Sequence, residues 1–150
     1  MKNLINLKQN SFIEINGKKY QVLTKTTYIT NSSTDEYIKY ILSNHNILVV
    51  IPVDEMIYLG NIVEDFEKNM TFSKSITYKN KQFSQVASDY QIVKSVDFGN
   101  PQEVEGEVFW ADYACEEDEQ TYISCAYVPK TNKRADIVGT ILDKNDIKIL

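Results

Sequence analysis

The residues able to do chemistry are few, and their spacing decides how each one reads. His45 is the single histidine. It stands in Ser43-Asn44-His45-Asn46, a polar run that reads as a turn. A catalytic base needs a nucleophile within reach and a third group to orient it. An isolated turn histidine has neither, so His45 is expected to be exposed. Cys115 and Cys125 are the only cysteines. A hairpin between them would bring them near one another, but there is no Cys-x-x-Cys spacing. One histidine also leaves a zinc site short of ligands. Four acids follow Cys115 directly, Glu116 to Glu119, and negative charge disfavours a thiolate. Reduced, partly buried strand thiols are expected.

The carboxylates come in two groups. Asp112, Glu116, Glu117, Asp118 and Glu119 resemble a cation loop only in charge, because calcium needs six to eight oxygens in a shaped turn, usually with glycine. A solvated hairpin loop is expected there. Glu103, Glu105 and Glu107 alternate along one strand and read as an exposed acidic face. Two acids roughly 5–9 Å apart can split a glycosidic bond, but any alternating row of acids meets that distance. None of the phosphate-loop, dinucleotide, nucleophile-elbow or metalloprotease motifs occurs. The reading is therefore no catalytic residue, no metal and no organic cofactor.

Aromatic residues make a stronger claim. Ten tyrosines accompany one tryptophan, Trp110. Tyr37, Tyr40, Trp110, Tyr113, Tyr122 and Tyr127 fall on neighbouring predicted hairpins and form the candidate ligand or partner surface. Ordinary core packing, with hydroxyls reaching outward, is the competing reading.

Composition narrows the classes further. The net charge of −5 and a lone arginine, Arg134, disfavour a nucleic-acid binder. A local basic patch of Lys79, Lys81, Lys130, Lys133 and Arg134 is the one place it could form. No apolar run reaches the ~20 residues that span a bilayer, and Met1 to Leu7 is too short for a signal peptide. A cytoplasmic protein is expected, from a bacterium with an AT-rich coding sequence to judge by its Lys, Asn, Ile and Tyr.

The elements that must position these residues are mostly strands. Asn16-Gly17 suits a two-residue turn between Phe12–Ile15 and Lys18–Leu23. Asn31 to Asp35 is a loop, and Glu36–Leu42 carries apolar groups on both faces, as a central strand would. Ile47–Ile51 is a buried strand ended by Pro52. Met56–Val63 follows, broken at Gly60-Asn61, and residues 62–70 suit helix or strand equally. Lys79-Asn80-Lys81 turns between Ile76 and Phe83, and Tyr90–Val96 is another strand before the turn Phe98-Gly99-Asn100-Pro101. From Glu103 onward Val104, Gly106, Val108 and Trp110 face inward, with Trp110 as a core anchor. Gln120–Val128, Ala135–Leu142 and Ile147–Leu150 complete the chain. Residues 13–20 echo residues 76–83, and residues 36–42 echo 121–127.

Three short motifs resemble the bacterial "domain of unknown function 4178" family. They are Gly17-Lys-Lys-Tyr20-Gln-Val22, Glu36-Tyr37-Ile-Lys-Tyr-Ile41-Leu42 and Gly106-Glu107-Val108-Phe109-Trp110, with Gly139 as a late glycine. The family's tryptophan before the Glu-Tyr strand is replaced here by Thr34 or Asp35, and its partner by Leu48 or Val49. The resemblance implies no catalytic residue.

The sequence thus predicts one mainly β domain over residues 1–150. Antiparallel meanders would form a sandwich or partly open barrel with at most one or two short helices, and 10–70 and 73–150 would be two related halves. The function expected first is a non-catalytic binding or assembly module, with a protein partner or self-association through a tyrosine-bearing face or edge strand. A polar, water-excluded cleft with converging acids would argue against it. The alternatives are a binder of a small cationic, polyamine-like molecule and an acid/base hydrolase using Asp112, Glu107 and Glu117.

Overall fold

The computed structural model describes residues 1–30, 35–64, 72–100 and 107–150. Within them a single-turn helix, α1 (Lys2–Ile5), precedes β1 (Phe12–Ile15), β2 (Lys18–Thr30), β3 (Glu36–Leu42), β4 (Ile47–Ile51) and β5 (Met56–Val63). The second half holds β6 (Ser75–Tyr78), β7 (Lys81–Phe98), β8 (Glu107–Cys115), β9 (Asp118–Val128), the two-residue β10 (Lys133–Arg134), β11 (Asp136–Leu142) and β12 (Ile147–Ile149). The tight turns are where the sequence places them. Asn16 and Gly17 adopt φ of 50° and 82°, and Lys79 and Asn80 adopt 49° and 63°. Two consecutive positive φ angles match the right-handed twist of the flanking strands.

All pairings are antiparallel. β2 to β5 form one meander, and β7, β8, β9 and β11 form a second. The two meet edge to edge twice, through β5–β11 and through β2–β7. The result is a closed eight-stranded barrel in the order β2-β3-β4-β5-β11-β9-β8-β7. The predicted meanders are present, but neither a sandwich nor an opening survives, because both seams are hydrogen-bonded ladders that leave the ring no free edge. The β2–β7 seam shifts register twice, and such bulges supply the bend that closure demands.

The β5–β11 seam explains Gly60 and Gly139. They sit directly opposite each other. A Cβ on Gly60 would lie 2.5 Å from the carbonyl oxygen of Val138, and one on Gly139 would lie 2.9 Å from that of Leu59. Gly60 therefore does not break its strand as the sequence suggested. It permits a close backbone crossing inside a continuous β5. Of residues 62–70, Ile62 and Val63 finish β5, and 65–70 lie outside the described residues.

Two hairpins cover parts of the barrel's outer surface. α1 and the β1–β2 hairpin bring Leu4, Leu7, Ile13 and Ile15 onto Ile38, Tyr40, Leu48, Val50 and Ile57. The Tyr40 hydroxyl lies 2.8 and 2.9 Å from the carbonyl oxygens of Leu4 and Ile5, donating to the end of α1. On the other side the β6–β7 hairpin encloses Phe83, Ala111, Tyr113, Ile123 and both cysteines. Tyr113 donates to the carbonyl of Ser73 at 2.5 Å. Both hairpins spring from a long barrel strand, 13 residues in β2 and 18 in β7. β2 and β7 hold equivalent places in the two meanders, so residues 13–20 and 76–83 correspond in topology. β3 and β9, which carry the second echo, do not: β3 is next to β2, whereas β9 is two strands from β7.

Gly60→Ala is expected to cost roughly 1–3 kcal/mol, the usual penalty of overpacking. It should appear as a lower urea midpoint with unchanged slope. A midpoint equal to the parent's would mean that the seam relaxes freely.

Candidate functional site

Strand alternation sends every second barrel residue inward. The inward set does not fill the barrel. It leaves a cavity of about 390 Å³, a volume suited to a small ligand. β3 contributes Tyr37 and Lys39, β4 Val49 and Ile51, β5 Tyr58, and β11 Ile137. β9 contributes Tyr122, Ser124 and Ala126, β8 Trp110 and Asp112, and β7 Ala87 to Asp89 and Gln91. Asp35, Val53, Asp54, Ala87 and Ser88 are exposed and mark the mouth. Lys39, Tyr58, Gln91 and Tyr122 lie deep in the interior.

Charge on this lining is one-sided. Among the described residues, Asp35, Glu36, Asp54, Asp89 and Asp112 share the lining with one ammonium, that of Lys39. Glu36 is also bonded to Lys94 at the rim. Low-dielectric walls with one sign of charge focus the field into the opening. Among the described residues the rings of Tyr37, Tyr58, Trp110 and Tyr122 complete the wall. Tyr58 and Tyr122 stand 5.1 Å apart between centroids, and Tyr37 stacks on Tyr28 at 4.9 Å.

Asp112 is the central polar group. Its Oδ2 accepts a 2.6 Å hydrogen bond from the Tyr122 hydroxyl. Burial pushes the carboxyl up to about 6, outweighing the hydrogen bonds from Tyr122 and Ser124 that favour the ionised form. Burial and the adjoining carboxylate together raise the Tyr122 hydroxyl, so the tyrosine remains a donor. Three buried side-chain atoms of the described residues have no hydrogen-bond partner: Asp112 Oδ1, Gln91 Oε1 and Trp110 Nε1. All three belong to residues that line the cavity. The Gln91 amide nitrogen is already committed to the Tyr37 hydroxyl.

The six aromatic residues singled out from sequence are divided by the wall of the barrel. Tyr37, Trp110 and Tyr122 line the cavity. Tyr40 and Tyr113 point outward into the two hairpin-covered cores. Tyr127 is buried outside the cavity, with its hydroxyl donating to Asn132 Oδ1 at 2.7 Å. Trp110 is half-buried and belongs to the cavity wall rather than to a solid core. Asp112 leaves the acidic loop group and sits in the interior, whereas Glu116 and Glu117 are exposed at the β8–β9 turn. Asp118 pairs with Lys81 at 3.2 Å. The bonds from Thr121 and Lys81 hold its carboxyl below the usual range. Glu103 and Glu105 lie outside the described residues.

The other candidates have structural surroundings. His45 is exposed at its turn, with φ of 61°. Cys115 and Cys125 are buried and form no disulfide, and the register sets Cys125 against Ala111 and Cys115 against Asp118. Burial, with Asp136 nearby, pushes the Cys125 thiol up to about 12, so it stays protonated. The proposed basic patch is depleted: Arg134 is half-buried, paired with Asp136 at 3.0 Å and stacked over Phe72. No group of three His, Cys, Asp or Glu among the described residues is placed to hold a metal ion. No helix among them is long and apolar enough to cross a membrane.

Nothing among the family models, curated proteins and solved structures compared with the chain matches it. The resemblance to the "domain of unknown function 4178" family rests on the motifs alone. Two of these open β2 and form β3, and the third enters β8, where it delivers Trp110 to the cavity.

The raised Asp112 carboxyl carries a stability consequence. Its ordinary value is 3.8, and in the folded protein it is about 6. The folded state therefore binds the proton more tightly than the unfolded state, and stability falls as pH rises through the window from 3.8 to 6. Asp112→Asn should flatten that slope in melts across the window. Above pH 7 it should melt higher than the parent, by about 2–4 °C for each kcal/mol gained. An unchanged slope would assign the titration to another group.

Proposed function

We infer that the protein is a non-catalytic binding module that takes a small organic cation into its barrel. The observation that carries this reading is the cavity of about 390 Å³, on whose lining the described residues set five carboxyls, one ammonium and four aromatic rings. Carboxylates at the mouth draw a cation in, and the tyrosine and tryptophan faces favour it once it sheds water. The cationic, polyamine-like ligand expected as an alternative thereby gains support over the assembly surface. Of the six aromatic residues proposed for such a surface, three are turned into the barrel and three are buried elsewhere.

The acids do not form the water-excluded cleft that would argue for catalysis. Asp35 and Asp54 are exposed at the mouth. The hydrolase set also separates, with Asp112 inside the barrel and Glu117 exposed at a turn.

Spermidine serves as the probe. At low ionic strength, a concentration near 100 times Kd should stabilise the protein by about 2.7 kcal/mol, read as a rise in melting temperature. The rise should shrink as salt is added, since the attraction is screened over about 10 Å at 0.1 M. Binding should also be tighter at pH 7 than at pH 5, because ionised Asp112 adds a charge. Replacing both Asp35 and Asp54 by asparagine should weaken it severalfold. A spermidine series with no thermal shift at low salt removes the reading.

A further inference from the structure

The charges on the cavity lining are sorted by depth. Asp35 and Asp54 are exposed at the mouth, and Glu36 and Asp89 are half-buried. Asp112 is buried, but its partner across the β7–β8 ladder is Ala87, an exposed residue of the mouth. Lys39 is placed differently. It stands four residues along β3 from Asp35, about 13 Å at 3.3 Å per residue. The register puts it on one rung with Thr26, Val49 and Tyr58 of β2, β4 and β5, and none of the four is more than 7% exposed. The other buried lining residues include Ala126, Ala135 and Ile137, which offer a ligand no charge.

We propose that the cavity selects a monoamine with an uncharged body, its one ammonium held at the mouth, over a diamine or polyamine. The inference rests on the cavity being the ligand site and names the kind of cation it takes. An ammonium at the mouth meets exposed carboxylates while it keeps part of its water. A second ammonium carried inward would lose its water and approach the charge of Lys39. Like charges repel most strongly where the dielectric is low, and they do so without touching. An aliphatic or aromatic body instead gains from burial against Val49, Ile51, Tyr58 and Ile137. A polyamine still binds by one end, but its inner charges oppose entry.

Hexylamine and hexane-1,6-diamine serve as probes, because they differ by one ammonium at the end of the same chain. Titration calorimetry at pH 7 and low salt should show hexylamine binding about tenfold more tightly, the equivalent of about 1.4 kcal/mol. A lining that attracted by net charge alone would give the opposite order. Lys39→Met keeps an unbranched chain and removes the deep charge, so the diamine should gain severalfold relative to hexylamine. Replacing both exposed acids, Asp35 and Asp54, by asparagine should weaken the two probes by similar factors, since each leaves one ammonium at the mouth. Equal binding of the probes to the parent, or tighter binding of the diamine, overturns this inference and leaves the cation-binding function standing. So does a preference for hexylamine that survives Lys39→Met, or a mouth variant that weakens the diamine alone. Binding of spermidine without either six-carbon probe also overturns it. Failure of all three probes overturns the inference and the function together.

Discussion

Closing a β-sheet on itself demands that its two edge strands meet in register, and here that constraint falls twice. At β5–β11 the backbones approach so closely that Gly60 and Gly139 face each other with no room for a Cβ on either. At β2–β7 two bulges absorb the curvature. The cavity depends on these seams. Without closure the inward residues of both meanders would lie on flat sheet faces, and Tyr37 and Tyr58 would not stand across an enclosed space from Trp110 and Asp112. Closure also separates two solvents for side chains. Outward residues beneath the two hairpins form apolar cores, whereas the cavity lining mixes aliphatic, aromatic, amide and charged groups.

Much of this architecture was legible in the sequence, because strands and turns leave local marks. Asn16-Gly17 and Lys79-Asn80 announced their turns, and alternation located most of the strands. Other features were hidden by physical causes. β7 is 18 residues long, but only its start up to Phe83 and Tyr90–Val96 were recognisable. Its stretch from Ser84 to Asp89 is too polar to resemble a core strand, and part of that stretch rims an open cavity. Gly60 looked like a break because its reason, Gly139, lies far along the chain.

The site itself was half visible. Trp110, Tyr37 and Tyr122 were singled out by residue type, yet type alone could not separate them from Tyr40 and Tyr113, which face the opposite side of the wall. Asp112 was grouped with the loop acids because of the acidic run just beyond it. The signal that could have found it was already present: Val108, Trp110 and Asp112 alternate along one strand, so an inward tryptophan implies an inward aspartate. Lys39 stands in the same relation to Tyr37, two residues before it on β3, whereas Gln91 had no such signal, because a polar residue on a strand reads as wet unless the fold is known to be a closed and hollow one.

Gln91 also occupies a peculiar position in the ladder network. It is paired with Val108 of β8 on one side and with Thr30 of β2 on the other, at the end of the β2–β7 seam. Its side chain looks into the cavity while its backbone belongs to the closure. The same residue therefore joins the lining of the cavity to the ladder that closes the barrel, so a change there touches both at once.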